Sequence, residues 1–438
     1  MSVLNPSHAD HVDAISFESV TIETELFPAV DIAATVTDLD VFEHLDKPYV
    51  TAILGFVDVE DLVGSMNLSG GERVSVTLKT NIEDSIPVIK IFYIDKVVSA
   101  NKTSGNEEFF TLHLIEDIAF KSNLINVNKS YTGSTSKIIE KIAWDFLKTK
   151  VDIASKDRQE AKVIVPNLTP IDAMCWVKNR STTSDGYPYY LFSNLIDFNL
   201  QFRDLQTMMT SKTMNDQEGA EYTHYESQIG SESSLGRRRI IMAYEFRDNY
   251  DLYSLIDKGL LGAEYRYLDV IKKKDNKFEF DVDQDVNNFL KRDDIVQKRQ
   301  YSTYDSSRYD WSIDKINSRK ITRIGSSEIF NDNKSLSQRE NISDYKLNEI
   351  SRTMAELLKT ESVRFIVNGL DFFDGAENTT IGNKLRIRFL KNSITDDTDK
   401  FDHKKSGDYL IFACKHSFTQ REYTLTFSGV KLSNGEVV

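Results

Sequence analysis

The residues of this 438-residue chain that could do chemistry are numerous, but their spacing builds no familiar site. Asp281, Asp283 and Asp285 alternate like the first ligands of a calcium loop. The sixth position of such a loop needs glycine and here is Val286; the twelfth needs a bidentate glutamate and here is Arg292. An EF-hand is therefore excluded. His8, Asp10 and His11 could ligate a metal, yet they stand in a polar N-terminal stretch that reads as a mobile tail. Cys175 (in AMCWV) and Cys414 (in IFACK) lie far apart in apolar surroundings, so they form neither a disulfide framework nor a zinc spacing and read as small core residues. Asp396, Asp397 and Asp399 read as a solvated loop, and Arg237–Arg239 and Lys272–Lys274 as exposed basic loop ends. The sequon Asn67–Ser69 has no meaning without secretion. No GxSxG, HExxH, phosphate-binding GxxxxGK or dinucleotide GxGxxG occurs. With 68 acids, carboxylate pairs suited to a glycosidase arise by number alone. The expectation is no catalytic residue, no cofactor, no metal and no enzymatic activity.

Charge says more than these motifs. The net charge is −14, and residues 1–46 hold ten acids and no Lys or Arg. A secretory signal needs a basic start and an apolar run, and neither is present. The longest uncharged apolar patch, near Tyr187–Ile196, is too short to span a bilayer, so a soluble chain without membrane insertion is expected. A strongly acidic chain is a poor general binder of nucleic acid, which needs clustered Lys and Arg at the phosphates. The 19 Gly and 7 Pro exclude collagen-like or low-complexity architecture.

The elements follow from periodicity. Strands are read from Ser16, at Ala29–Val36, Tyr49–Val57, Val74–Leu78, Ile89–Val98 and Phe109–Ile115, with a turn at Ser69–Gly71. So many strands in about 100 residues, with no helix between them, predict a small barrel or sandwich. Ile138, Ile139, Ile142, Ala143, Phe146 and Leu147 then repeat at helical spacing, predicting a helix over 136–149. Thr169-Pro170 with Asp172 predicts a capped helix start. A hairpin is read at Tyr187–Ile196 and Phe198–Phe202, and strands at Arg239–Phe246 and Phe278–Val282. Leu347, Ile350, Met354, Leu357 and Leu358 share one face of a further helix after Ser343. Strands follow at Val363–Val367, Leu385–Leu390, Tyr409–Lys415 and Tyr423–Gly429.

The C-terminal strands echo the N-terminal ones. Val74–Lys79 (VSVTLK) is answered by Lys384–Phe389 (KLRIRF), Ile91–Ser99 by Tyr409–Ser417, and Glu108–Leu114 by Glu422–Phe427. Order, strand length and the turn with glycine before the first strand repeat. One barrel used twice per chain, with an α+β segment between the copies, accounts for the pattern.

Several of these segments together resemble the central baseplate hub protein of contractile-tailed, T-even-type bacteriophages. Val30–Asp38 through Val74–Thr77 is similar to that family's first tube-like barrel. Val165–Pro170 with its helix, then Tyr189–Phe192, is similar to its interior α+β segment. Ile381–Arg386, Tyr409–Ser417 and Tyr423–Phe427 are similar to its second barrel. The middle, 205–345, carries the least of the likeness and is longer and more polar than the family's.

The fold expected is mainly β with an α+β insertion: two tube-like small β-barrel domains per chain plus the interior segment. The boundaries are 1–13, a flexible tail; 14–120, the first barrel; 121–190, the α+β segment; 191–235, hairpin strands joining the second barrel; 236–342, a polar insertion; and 343–438, a helix and the second barrel. The resemblance implies a homotrimeric ring in the virion's tail baseplate, made in the host cytoplasm. Six quasi-equivalent barrels would adapt a three-fold cell-puncturing spike to a six-fold tail tube. The implied partners are copies of the chain, the spike, the tail-tube or tube-initiator protein, and tape-measure and baseplate-wedge proteins, with DNA only in transit. Ring-forming strands are expected at Val74, Val76, Leu78, Phe109, Leu112, Leu385, Ile387, Phe389, Tyr423 and Leu425, because exposed strand edges pair with neighbours. Glu23, Glu25, Asp38 and Asp40 are candidates for an acidic channel wall that repels DNA phosphates. The competing readings are the hub of a phage-derived contractile injection system, a baseplate cell-wall hydrolase, and a monomeric ligand-binding barrel.

Overall fold

The computed structural model describes residues 15–25, 27–80, 86–102, 107–155, 161–215, 222–224, 239–248, 252–269, 274–282, 285–286, 319–324, 329–330, 342–359, 361–373, 379–391, 401–402, 405–420 and 422–433. His8, Asp10, His11, Arg237, Arg238, Lys272, Lys273, Asp283, Arg292 and the loop with Asp396, Asp397 and Asp399 lie outside the described residues.

The first barrel comprises β1 (Ile15–Glu23), β2 (Val30–Asp31), β3 (Val36–His44), β4 (Thr51–Asp58), β5 (Arg73–Thr80), β6 (Val88–Lys102) and β7 (Glu108–Glu116). Their order is β3-β4-β7-β6-β5-β1-β2, antiparallel throughout. Alternation sets the faces: β5 buries Val74, Val76 and Leu78 and turns the residues between them outward. The strand expected over 29–36 is broken instead. Both the Val20 and Ala33 amides donate to Asp31 Oδ1 (3.0 and 2.9 Å), which turns the chain through Ala33–Thr35. That turn carries the chain from β2 into β3. A short helix, α1 (Leu62–Ser65), lies between β4 and β5.

The α+β segment holds α2 (Asp117–Asn123), β8 (Ser130–Gly133), α3 (Thr135–Ile142), β9 (Val151–Ala154), β10 (Ala161–Ile164), α4 (Pro170–Asn179), β11 (Tyr189–Phe192), β12 (Leu200–Asp204) and α5 (Leu205–Thr210). α3 continues into a wider π turn over Ala143–Leu147. α4 starts as its sequence dictates: Thr169 Oγ1 accepts the Asp172 amide at 3.3 Å and Pro170 takes the first helical position. The β11–β12 hairpin pairs through β12 with β9, so it belongs to this segment and not, as expected from 191–235, to the second barrel. Its two faces serve two cores. Tyr189, Leu191 and Phe202 pack with Ile142 and Met174, whereas Tyr190 and Phe192 join the core of the barrels. A strand buried on both sides shows no alternation, which is why YYLF is uniformly apolar.

β13 (Tyr222–His224), within 191–235, joins the second barrel. The stretch 236–342, read as one polar insertion, divides three ways. β14 (Ala243–Asp248) belongs to the second barrel. After α6 (Leu252–Asp257), β15 (Gly262–Asp269), β16 (Lys274–Asp281) and β17 (Lys320–Ile324) make a separate sheet, and β18 (Ile329–Phe330) pairs with β10. The long helix α7 (Ile342–Leu357) is tied to that sheet by Glu349, which accepts the Tyr267 hydroxyl and pairs with Arg323. Asp285 of the calcium-like run accepts the Asp281 amide at 3.0 Å and forms an ion pair with Lys346 at 2.6 Å.

The second barrel adds β19 (Glu361–Asn368), β20 (Lys384–Phe389), β21 (Gly407–Thr419) and β22 (Tyr423–Ser433). Its order is β14-β19-β22-β21-β20-β13, and a bridge between Thr223 and Ile240 closes it. Thus β3, β4, β7, β6 and β5 match β14, β19, β22, β21 and β20. The duplication reaches individual hydrogen bonds. Gly71 and Gly382, both left-handed (φ 93° and 79°), donate their amides to Ile94 O at 2.7 Å and Ile411 O at 3.0 Å. β6 and β21 each bulge at the next residue, Asp95 and Phe412. These landmarks correct the echo by one residue in every strand: buried Val74, Val76 and Leu78 correspond to Leu385, Ile387 and Phe389. A slip of one reverses the faces of a strand, yet leaves its alternating pattern nearly as good a match.

Candidate assembly interface

The two barrels share one sheet. β21 outruns β20, and its second half, Ala413–Thr419, pairs antiparallel with His44–Asp38 of β3. The joint is a continuous backbone ladder between barrels, which consumes two edges that would otherwise be exposed.

The inner side of this ladder carries a polar cluster. Glu43 faces Cys414 in register, and His416 lies two residues further along the same face. All three are buried, with ligand atoms within 4.8 Å of one another. The carboxylate is already heavily engaged: Oε1 accepts the Leu195 amide at 2.6 Å, Oε2 accepts the Thr380 hydroxyl at 2.7 Å, and His416 Nε2 stands 3.2 Å from Oε1. Tyr423 hydroxyl bonds His416 Nδ1 at 2.8 Å. Burial alone would push the Glu43 carboxyl up. The charge and hydrogen bond of His416, with the bonds from Thr380 and Leu195, outweigh it and hold the carboxyl below its usual range. Burial pushes the Cys414 thiol well up, so it remains protonated and unreactive. These donors are the described residues best placed to hold a metal. As they stand, they form a hydrogen-bonded pin that ties the joint to the 193–197 loop and to Thr380.

A second buried pair fixes that loop from the other side. Lys90 Nζ lies 2.6 Å from Glu116 Oε1 and donates to Asn194 O at 2.7 Å. Glu116 also accepts from the Ser193 hydroxyl at 3.0 Å and the Val50 amide at 2.7 Å. The loop therefore locks the first barrel, the joint and the hairpin into one body.

The sequence-read residues distribute as follows. Val74, Val76, Leu78, Leu112, Leu385, Ile387, Phe389, Tyr423 and Leu425 point into their own barrel cores, and Phe109 is half-buried. Their strands already have neighbours on both sides: β5 between β1 and β6, β7 between β4 and β6, β20 between β13 and β21, β22 between β19 and β21. They hold barrels together rather than offering edges, and the strands that join barrels are β3 and β21. Of the four acids, Glu23 pairs with Arg73 at 2.8 Å and Asp40 with Lys415 at 2.9 Å across the joint. Asp40 also accepts the Ser417 hydroxyl, Asp38 that of Thr37, and Glu25 is exposed. Neutralised by these partners, Glu23 and Asp40 lend a wall less repulsion than bare acids would. The Glu43 pin was missed, although its signal is in the sequence: an acid on the apolar phase of a strand that buries Leu39 and Val41.

A shallow open cleft of about 480 Å³ lies at one end of the joint, lined by Ala34, Thr35, Val36, Thr37, Val57, Thr419 and Gln420. It presents no charged side chain. No helix among the described residues is long and apolar enough to cross a membrane.

No protein-family model and no curated protein matches the sequence. Solved structures do. The tail protein of Neisseria meningitidis MC58 superposes with a TM-score of 0.52 over 94% of this chain and 96% of its own, at 11% identity. The 43 kDa tail protein of prophage MuSo2 from Shewanella oneidensis gives 0.52 over 94% and 98%, also at 11% identity. An E. coli component of the type VI secretion system superposes more loosely, at 0.43 over 95% and 77% with 8% identity, and no argument rests on it. The chain thus has, over nearly its whole length, the mainly β fold of tail proteins.

Proposed function

We propose that this chain is the structural hub of a contractile-tail baseplate. Three copies form a ring of six barrels around a channel, with a three-fold spike on one side and the six-fold tail tube on the other. The observation that carries this reading is the joint. Two barrels of one topology are fused edge to edge by a ladder, so one chain already supplies a third of a six-barrel ring. The shared fold with two tail proteins supports a place in the tail. Function here is assembly: the pinned joint fixes the angle between barrels, and no bond is made or broken. The exposed Glu25 and the acidic N-terminal segment would keep passing DNA from adhering. Light scattering on the purified full chain tests the stoichiometry. A mass of three chains at micromolar concentration is expected; a monomer that stays monomeric when spike protein is added overturns the reading. Lysis of peptidoglycan, lost on changing one carboxylate, would instead favour a hydrolase.

A further inference from the structure

The inner face of the joint carries a set of donors that suits a metal ion. Cys414 and His416 lie two apart on β21, and Glu43 faces Cys414 across the ladder. Two neighbouring strands thus bring one sulfur, one nitrogen and one carboxylate together, all buried. The outer bonds that orient such ligands are already in place. Tyr423 hydroxyl engages His416 Nδ1 at 2.8 Å and leaves Nε2 turned to the cluster. The Leu195 amide and the Thr380 hydroxyl each donate to one oxygen of Glu43. Inside the cluster, by contrast, bonding is sparse. Among the described residues no hydrogen bond engages Cys414 Sγ. His416 Nε2 stands 3.2 Å from Glu43 Oε1, off the line of a full hydrogen bond, and has no other partner. A buried polar atom so placed calls for a ligand.

We propose that Glu43, Cys414 and His416 bind a zinc ion, which clamps β3 of the first barrel to β21 of the second. A thiolate, an imidazole and a carboxylate together select a borderline-soft dication. Calcium and magnesium take oxygen ligands instead. A tetrahedral zinc, with bonds of about 2.0–2.3 Å, sets its ligand atoms about 3.5 Å apart. Here Nε2 and Oε1 are 3.2 Å apart, and all three donors lie within 4.8 Å of one another. Small side-chain adjustments close them on an ion, and the second oxygen of Glu43 is at hand for the fourth position. Without an ion, burial keeps the Cys414 thiol protonated. On binding, the S–H bond breaks, a Zn–S bond forms and the proton leaves to solvent. The thiolate and Glu43 then bring two negative charges, which the dication neutralises, as burial requires.

The duplication shows that the barrel itself does not need these donors. With the bulges at Asp95 and Phe412 matched, Val97 and Ser99 of β6 stand where Cys414 and His416 stand in β21. Their neighbours match too: Val97 pairs with Leu112 and Ser99 with Phe110, as Cys414 pairs with Phe427 and His416 with Leu425. One barrel is built with a valine and a serine at these places. The other has a thiol and an imidazole there, beside the strand that supplies a buried carboxylate. The donors therefore belong to the joint and not to the fold of either barrel. Because all three are buried, the ion enters as the chain folds. The signal in the sequence is Cys414-Lys415-His416, two donors on one face of a strand.

The full chain, made without a polyhistidine tag, tests the site. From zinc-supplemented medium, elemental analysis should find about one zinc per chain. From cobalt-supplemented medium, the chain should show thiolate-to-cobalt charge transfer and the strong visible bands of four-coordinate cobalt. Cys414→Val copies Val97 of the other barrel and should lose both the metal and the charge-transfer band. Cys175→Ser should keep both. Tyr423→Phe removes only the hydroxyl on His416 Nδ1 and should weaken zinc about 10–100-fold in competition with a chelator. Should Cys414→Val fail to fold, the cobalt spectrum of the parent chain decides alone. A folded parent chain with neither zinc nor the charge-transfer band overturns the proposal. So does metal retained in full by Cys414→Val, which places the ion elsewhere. The stoichiometry of the ring is read separately by mass, so failure of the zinc site and failure of the hub reading are distinguishable.

Discussion

At the scale of single residues, the account turns on polar groups placed where only apolar ones belong. Glu43 and Glu116 are buried carboxylates that bind a loop to two barrels. Removing one partner of such a pair leaves a charge stranded in low dielectric, at a cost of about 3–5 kcal/mol. His416→Ala is expected to lower stability by about that amount, read from denaturant midpoints, and Lys90→Ala likewise through Glu116. Acid provides an independent check on Glu43. Its folded pKa is lowered, so its contribution is present above the ordinary carboxylate value of about 4.3 and is lost as pH falls through the lowered folded value. Melting temperatures between neutral pH and pH 3 should fall less steeply in Glu43→Gln than in the parent chain; parallel profiles would show that Glu43 is not the titrating group. Glu43 shows as an anomaly in one strand's alternation. Its partners Leu195, Thr380 and His416 are far away in sequence, and nothing in their local pattern announces them.

At the scale of elements, periodicity revealed which strands and helices exist, and the chemistry of turns decided where they end. Alternation placed β5, β6 and β7 and their repeats, and the spacing of Ile350, Met354 and Leu357 placed α7. It failed over 29–36, where Asp31 captures two amides and turns the chain. It also misplaced the β11–β12 hairpin, because a strand buried on both faces gives no sign of which sheet it joins. The echo was legible in order but not in register, since bulges and glycine turns fix register while alternation repeats every two residues. The two matched glycines make this testable. Gly71 and Gly382 occupy the same left-handed turn, so alanine at either should cost about 1–2 kcal/mol of backbone strain. At Gly382 the new Cβ would also lie 2.9 Å from Phe192 Cζ, whereas at Gly71 the nearest atom is Phe120 Cζ at 4.0 Å. Gly382→Ala should therefore be the worse of the two by about 1–3 kcal/mol in chemical denaturation. Equal losses would mean that the hairpin side chain yields without cost.

At the scale of the whole molecule, the proposed ring rests on a doubled barrel: one joint, a ladder between β3 and β21, lies within the chain, and the proposal needs further copies of the chain for the others. Charge composition fits an acidic body that does not adhere to nucleic acid, but it reveals nothing about stoichiometry. The joint between the barrels is equally silent in composition and appears only once the pairing of β3 with β21 is known. The central claim is that six like barrels, two from each of three chains, surround one channel. Negative-stain electron microscopy of the purified full chain, averaged without imposed symmetry, tests it most directly. The account predicts annular particles with six peripheral lobes of two alternating kinds around an open centre. Isolated two-lobed particles at every concentration, with or without spike protein, would contradict it.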